Sequence, residues 1–397
     1  MVKSDAPGLK VKKNKDGTFR FYWEARSDAV KLGYRPSSIR LHYDDEIQRA
    51  ARCRILQNEM LAWLSAGNQF PARRYDSTIG SLADLFASDE DSPYRACKWN
   101  TQRLYDQGIT IIKASVGDRV VRELVGSDFQ RWNRNWAKPA AEGKAPRLHR
   151  AKHTMDLVRR VIAYGVTCGY ADCIRADTIL SKMRFAAPAA RKAKMLAEHV
   201  TAIRAKAHEL GLPSVALATA IQFDLAMRQK DVIGEWLPTE EGGGGITFRG
   251  RRWAHGLIWS DIGSDLILRK VHTKTGVAVE YDLNFAPNVL AEMELAGRGI
   301  GPVIVSETTK APYRHTKYSE TFRKVATAAG IPPEVWSMDA RAGAISEAYD
   351  AGASGTDVQK LAGHTTPQTS ARYNRGSVEQ TRRPMQARVA KRTKNEE

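Results

Sequence analysis

The stretch from Leu361 to Gly376, LAGHTTPQTSARYNRG, decides how the chain is to be read. Gly363 fits the C′ position of a helix whose body is DVQKLA, because glycine adopts the left-handed backbone there without steric cost. Thr366-Pro367 fits the N-cap and first position of the next helix. His364 then lies in a tight turn between two helices, and Tyr373 stands nine residues on, about two turns down the second helix. Tyrosine and histidine are common in protein interiors, so the pair means little alone. What matters is which other residues such a tyrosine would need.

Composition narrows the search. The chain has 397 residues, enough for two or three domains with a sizeable core. Hydrophobic residues make up 42% and charged residues 27%, an ordinary globular balance. The formal net charge of +18 is a large excess and points to a polyanionic partner, nucleic acid or a membrane surface. No apolar run reaches the length of a membrane span, and MVKSDAPGLKVKKNKDG lacks a signal-peptide core, which weakens the membrane reading. Cys53, Cys97, Cys168 and Cys173 form neither a CxxC pair nor a disulfide framework. Free thiols without an export signal point to the cytoplasm, and structural zinc is not expected.

Along the chain, residues 9–43 read as strands. Asp16-Gly17 stands between two alternating runs, a hairpin signal, and FRFYWEAR alternates Phe19, Phe21 and Trp23 with Arg20, Tyr22 and Glu24. SSIRLHY supplies a third strand. A small basic sheet of this kind suits insertion into a DNA groove, with Arg20 as a contact; equally, its aromatics could be core. Residues 44–66 turn helical, with Ile55, Leu56, Met60, Leu61 and Leu64 at helical spacing, and a polar linker follows at 67–76. Residues 77–185 read as all helix. Between Arg131 and Lys194 there are 15 Lys/Arg against four acids, too one-sided for a merely solvated face. Lys152, Arg159, Arg160, Lys192 and Lys194 in this run are candidate phosphate contacts. FAAPAARKAK (185–194) marks the next boundary. Beyond it lie helices at roughly 195–211, 213–227, 287–297, 318–330, 340–351, 355–362 and 366–374, with HGLIWSDI, SDLILRKVHT and GVAVEYDL as a small antiparallel sheet.

A phenol, with a free pKa of about 10, is a poor nucleophile at neutral pH. To attack a phosphodiester it needs strong local positive charge. The pentavalent transition state needs planar bidentate donors on its non-bridging oxygens, a role suited to arginine. The departing 5′ oxygen needs an acid. The chain offers Arg228 in FDLAMRQKDVIGEW, Lys274 in VHTKTGVAVEYDL and Arg341 in SMDARAGAISEAY. Lys230, Lys270 and His272 flank them. Each residue also has a plain structural reading, as a helix-end ion pair, an exposed hairpin lysine or a core tyrosine.

Residues 195–375 resemble the catalytic domain of tyrosine recombinases, phage-type integrases in particular. That family places its first arginine in a Gly/Ala-x-Arg-x-x-Asp/Glu turn after an apolar helix; MRQKD is similar, with Arg228 and its acidic buttress Asp231. The family lysine stands on a β-hairpin, as Lys274 does in KTGVAVEYDL. The second arginine stands in His-x-x-Arg; MDARAGAISEA matches at Arg341 but has Met338 in the histidine's place. The Leu-x-Gly-His box with tyrosine nine residues on is LAGH…ARY, giving His364 and Tyr373, and is the most specific element. The resemblance implies that Tyr373 attacks the scissile phosphate, Arg228 and Arg341 hold its oxygens, Lys274 protonates the leaving oxygen and His364 donates a hydrogen bond. A thioether at Met338 can do none of this.

The expected protein is therefore multidomain. Residues 1–66 form an arm-type DNA-binding sheet with a helix, 67–76 a linker and 77–186 an all-α, SAM-like core-binding domain. Residues 187–376 form a mainly α catalytic domain with a small antiparallel sheet, and 377–397 a basic tail. The resemblance implies a bacterial, nucleoid-associated integrase of a phage or mobile element, without metal, cofactor or ATP. Its partners would be double-stranded DNA at attachment sites, three further copies in a homotetramer, an excisionase and a host DNA-bending protein. The alternatives are a recombinase-like protein that only holds DNA, and a type IB topoisomerase.

Overall fold

The computed structural model describes residues 6–14, 17–34, 36–43, 45–65, 75–239, 245–374 and 378–393. Two compact units divide between Ala190 and Arg191, inside the FAAPAARKAK stretch and a little beyond the expected boundary.

The first unit opens with β1 (Leu9–Lys13), β2 (Phe19–Glu24), α1 (Ser27–Lys31), β3 (Ser38–Leu41) and α2 (Glu46–Ser65). The strands form an antiparallel sheet in the order β1-β2-β3. Gly17 carries the positive φ of the hairpin turn, while Asp16 lies outside the described residues. Strand alternation sorts the side chains by face. Trp23 and Leu41 are buried, Phe21 packs beside them, and Trp23, Tyr34 and Trp63 make edge-on ring contacts. The aromatic face is thus core, although Phe19 at the strand's start stays 57% exposed. On the other face the register aligns Lys10, Tyr22 and Arg40 across the sheet, with Lys12 opposite Arg20. One sheet therefore accommodates both readings of the sequence, a core face and a basic face. The strand-only reading of 9–43 misses α1. The buried stripe of α2 is Ala50, Cys53, Leu56, Met60 and Trp63; Ile55 and Leu61, expected on it, point out.

Five further helices follow in the stretch expected to be all helical: α3 (Ile79–Ser88), α4 (Trp99–Val116), α5 (Gly126–Ala137), α6 (Leu148–Thr167) and α7 (Ala171–Lys182). Met155, Leu157, Val158, Val161 and Ile162 of α6 are fully or almost fully buried in a core separate from that of the sheet. Of the expected linker, residues 67–74 lie outside the described residues; Asp76 is already part of the helical body, accepting from Thr78 beside the α3 N-cap. Arg52 of α2 reaches Asp76 at 2.6 Å and Asp118 at 3.6 Å, and the Tyr43 hydroxyl donates to the Asp118 carbonyl. A polar seam thus joins the two cores of this unit.

The second unit runs α8 (Ala197–Glu209), α9 (Pro213–Asp224), α10 (Gln229–Ile233), β4 (Glu235–Pro238), β5 (Thr247–Phe248), β6 (Arg251–Ala254), β7 (Ile267–Val271), β8 (Ala278–Asp282), α11 (Pro287–Ala296), α12 (His315–Ala328), α13 (Asp339–Ala351), α14 (Gly355–Ala362), α15 (Pro367–Ala371) and α16 (Val378–Thr393). Every residue of α9 from Val215 to Phe223 is buried, as befits an apolar helix running through the core. The strands form a β4-β6-β5 sheet and a separate β7-β8 hairpin. HGLIWSDI is not the expected strand. The Asp261 carboxylate accepts the Ile258 N–H at 3.1 Å, and the segment winds into a 3₁₀ turn over Trp259–Asp261. Such local side-chain bonding competes with a sheet ladder. The expected tail from 377 is largely helical as α16, held by Arg383 donating to the carbonyls of Tyr349 and Asp350. Among the described residues no helix is long and apolar enough to cross a membrane.

Candidate active site

Arg228 leaves the buried helix α9 through a short turn. Ala226 in that turn has a φ of +48°, a left-handed backbone that costs a non-glycine residue about 1–3 kcal/mol. Its carbonyl accepts from Arg341 Nη1 at 2.6 Å, which holds the turn in place. Arg228 is the N-cap of α10, and its buried Nη1 has no hydrogen-bond partner among the described residues. The nearest acid oxygen is Asp231 Oδ2 at 3.8 Å, close enough for an ion pair but too far for a hydrogen bond. Asp231 is itself buried and already occupied. Its Oδ1 accepts the Thr273 N–H at 2.9 Å, and Oδ2 faces His272 Nδ1 at 2.8 Å. Burial alone would raise this carboxyl; the His272 and Thr273 bonds prevail and bring it to about 2.

Lys274 stands exposed in the β7-β8 turn. Among the described residues no hydrogen bond or ion pair engages its ammonium, whereas the neighbouring lysines have partners. Lys230 pairs with Glu235, and Lys270 donates to Gly256 O at 2.6 Å and Asp261 at 3.0 Å. The turn touches the third segment of the site through Thr275 Oγ1, which donates to Gly363 O at 3.2 Å.

Arg341 lies in the first turn of α13 and is 6% exposed. Its Nη2 donates to Ala362 O at 2.5 Å, so one guanidinium ties the Arg228 turn to the end of α14. Burial, and then the Arg228 charge, lower it to about 10, which leaves it cationic at neutral pH. Gly363 closes α14 in the left-handed conformation, and His364 follows in the turn, as expected. Burial lowers His364 to about 4, and the charges of Arg341, Arg228, His272 and Lys274 push the same way. The imidazole is therefore neutral at pH 7. Its Nδ1 lies 2.8 Å from Ser370 Oγ, and its ring stacks on Tyr373 with centroids 5.9 Å apart and planes at 12°.

Thr366 and Pro367 open α15 as predicted, but the helix ends at Ala371. Tyr373 is not two turns down a helix; it lies in the turn just past it, its N–H bonded to Ser370 O at 3.0 Å in a tighter i to i+3 turn. The ring is half-buried against the core of the second unit. Met338, at the N-cap of α13, is 56% exposed.

Sequence reasoning named His272 only as a neighbour of the candidates and missed Tyr281 and Ser370. A signal was present for the first two. Along β7 and β8 the inward row is Leu268, Lys270 and His272 facing Val279 and Tyr281, so polar groups stand at core-facing parity. The candidate DNA contacts divide. Arg20 and Arg160 are exposed, as is Lys192, and Lys194 is half-buried. Lys152 is paired with Asp156 at 2.5 Å, and Arg159 donates to Met183 O at 3.0 Å while lying over the Phe185 ring. Among the described residues no group of three or more His, Cys, Asp or Glu is gathered in a way that could hold a metal ion.

Two guanidiniums and an ammonium thus converge around a neutral imidazole and a phenol, with a buried N–H left over. Such a place attracts an oxyanion and sets a hydroxyl beside it. No protein-family model and no curated protein matches the sequence. Solved structures do. A lambda integrase tetramer bound to a Holliday junction aligns over 95% of this chain and 99% of its own, at 16% identity and a TM-score of 0.57. A lambda integrase fragment bound as a dimer to a core site aligns over 76% and 98%, at 18% identity and 0.57. The Tn1549 transposon integrase with transposon right-end DNA aligns over 79% and 99%, at 11% identity and 0.53. At these identities the likeness is one of architecture: the chain has the integrase fold.

Proposed function

We propose that the chain is a site-specific DNA recombinase of the tyrosine type, the integrase of a phage or other mobile element, which cuts and rejoins DNA without metal or ATP. One observation carries the reading. Arg228, Arg341 and Lys274 bear on a neutral His364 stacked against Tyr373, and a buried Arg228 nitrogen awaits an acceptor.

In this reading the Tyr373 oxygen bonds to phosphorus as the P–O5′ bond breaks. A 3′-phosphotyrosine remains beside a free 5′ hydroxyl. Arg228 and Arg341 take the non-bridging oxygens, where negative charge grows. Lys274 gives its proton to the departing O5′. With Nδ1 accepting from Ser370, His364 carries its proton on Nε2 and donates it in a hydrogen bond to the phosphate. The Tyr373 proton passes to water, because the Met338 thioether cannot take it. Attack by a 5′ hydroxyl on the phosphotyrosine reverses the step, so the bond energy is conserved and no ATP is needed.

The rest of the chain serves DNA. The outward row Lys10, Lys12, Arg20 and Arg40 of residues 1–66 suits the phosphates of accessory sites. The helical segment 77–186 holds the core site, with Arg160 toward DNA and Lys192 just beyond it, and four protomers act together. The test is a nicked suicide substrate carrying the attachment core, which loses its 5′-hydroxyl fragment on cleavage. The full chain should form a denaturant-resistant adduct with it, undiminished in excess EDTA. Binding without any adduct would leave a protein that only holds DNA.

A further inference from the structure

We infer that His272 is a positioning residue for the leaving-group acid: it fastens the turn bearing Lys274 to the arginine turn on one side and to the histidine turn on the other. This rests on the reading of Lys274 as that acid. His272 is 0% exposed, so it cannot touch DNA and can act only through its neighbours. Its Nδ1 faces the Asp231 carboxylate, which can only accept, so Nδ1 carries a proton. Its Nε2 lies 3.1 Å from the Tyr281 hydroxyl, which reaches Leu361 O, also at 3.1 Å. The imidazole thus bridges α10 to the last turn of α14.

Further features make the fastening specific to the lysine turn. The next residue, Thr273, donates its N–H to the other Asp231 oxygen. The turn closes on His272 itself, whose N–H donates to Val277 O at 2.9 Å and whose carbonyl accepts from Gly276 at 2.8 Å. Finally, a β-carbon at Gly363 would run into the His272 ring. Glycine there serves two ends: the left-handed turn before His364 and the seat for the imidazole. Lys274, two residues from His272, is otherwise an exposed side chain on a hairpin tip with four rotatable bonds. Without the clamp its ammonium has no fixed place relative to the arginines.

The chemistry supplies a readout that general damage would not mimic. When the P–O5′ bond breaks, O5′ must gain the Lys274 proton. When sulfur replaces that bridging oxygen, the P–S5′ bond breaks to a thiolate that needs no proton. A residue that acts only by placing the acid should matter for the oxygen substrate and not for the sulfur one. Single-turnover cleavage by the full chain is measured on both suicide substrates. His272→Phe should slow the oxygen substrate about tenfold to a hundredfold, and stay within about threefold of the parent on sulfur. His272→Asn, which keeps a donor toward Asp231, should lose less. Equal slowing on both substrates, or none on either, would overturn the inference. If the Phe variant does not fold, His272→Asn and Tyr281→Phe each remove the Tyr281 arm alone and must show the same oxygen-selective loss; a loss blind to the substrate sinks the idea. Lys274→Ala separates the two claims. If sulfur does not rescue it, the reading of Lys274 fails. If sulfur rescues Lys274→Ala but no His272 variant, His272 is merely structural.

Discussion

Met338 is the residue at which the chain departs from the tyrosine-recombinase pattern it otherwise resembles, and in the proposed function that departure is consequential. It is 56% exposed, three residues before the buried Arg341. A group that donates or accepts a hydrogen bond there would contribute roughly 1–3 kcal/mol, about tenfold to a hundredfold in rate. The parent protein should therefore cleave slowly, at a rate rising with pH above neutrality as hydroxide takes the Tyr373 proton. Met338→His should cleave faster with a flatter pH profile. Single-turnover rates from pH 6 to 9 decide this; a flat parent profile and no gain from histidine would mean that another residue already fills the role. His364 gives a second test at this scale. Its folded pKa of about 4 lies below the unfolded value of about 6.5, so the unfolded chain binds the extra proton first. Its contribution to stability is complete above pH 6.5 and is lost as pH falls toward 4. His42, lowered to about 4 by burial and by Arg40 and Arg119, adds to the same window. Urea titrations of His364→Gln should show a shallower loss over that window than the parent. An unchanged slope would count against a neutral, buried His364.

At the scale of elements, what was legible depended on whether local chemistry or distant packing decides the backbone. Gly363 acts through its left-handed φ, and Pro367 through a ring that fixes φ and leaves no N–H to satisfy at the first helical position, and the turn between α14 and α15 lies where they put it. The all-round apolar stretch of α9 and the periodic helices of residues 77–185 were equally readable. HGLIWSDI was not, because Leu257, Trp259 and Ile262 are buried without strict alternation while Asp261 bonds back to Ile258. Nor could spacing alone say that Tyr281, eighty residues from Leu361, bonds to its carbonyl. The N-terminal sheet was half legible: alternation separates two faces but does not say which is covered. Its two faces now make opposite demands. Trp23→Ala should cost about 3–5 kcal/mol, since Trp23 is wholly buried between sheet and α2. Replacing Lys12, Arg20 and Arg40 together by alanine should leave the melting temperature nearly unchanged and weaken binding to accessory arm DNA. Cleavage of a core-only substrate should persist. Intact arm footprints in the triple variant would remove the DNA-binding role from this sheet.

At the scale of the whole molecule, the charge of +18 and the integrase fold point the same way but do different things. In the proposed function charge sets how strongly and how salt-dependently the chain holds DNA; the slope of log affinity against log salt should fall by about one for each phosphate contact deleted, as with Arg160→Ala or Lys192→Ala. A near-zero salt slope would contradict a phosphate-gripping surface. The proposed chemistry depends instead on four short segments that the second unit folds together: the turn after α9, the β7-β8 tip, the start of α13 and the span from Gly363 to Tyr373. The central claim is that the last of these supplies the nucleophile. It is tested most directly by digesting the adduct formed on a nicked suicide substrate and locating the modified residue by mass spectrometry, beside Tyr373→Phe. The account predicts DNA joined through its 3′ phosphate to the Tyr373 oxygen, a free 5′ hydroxyl on the released strand, and no adduct from a Phe variant that still folds and binds DNA. An adduct on another residue, or one that persists in Tyr373→Phe, would contradict it.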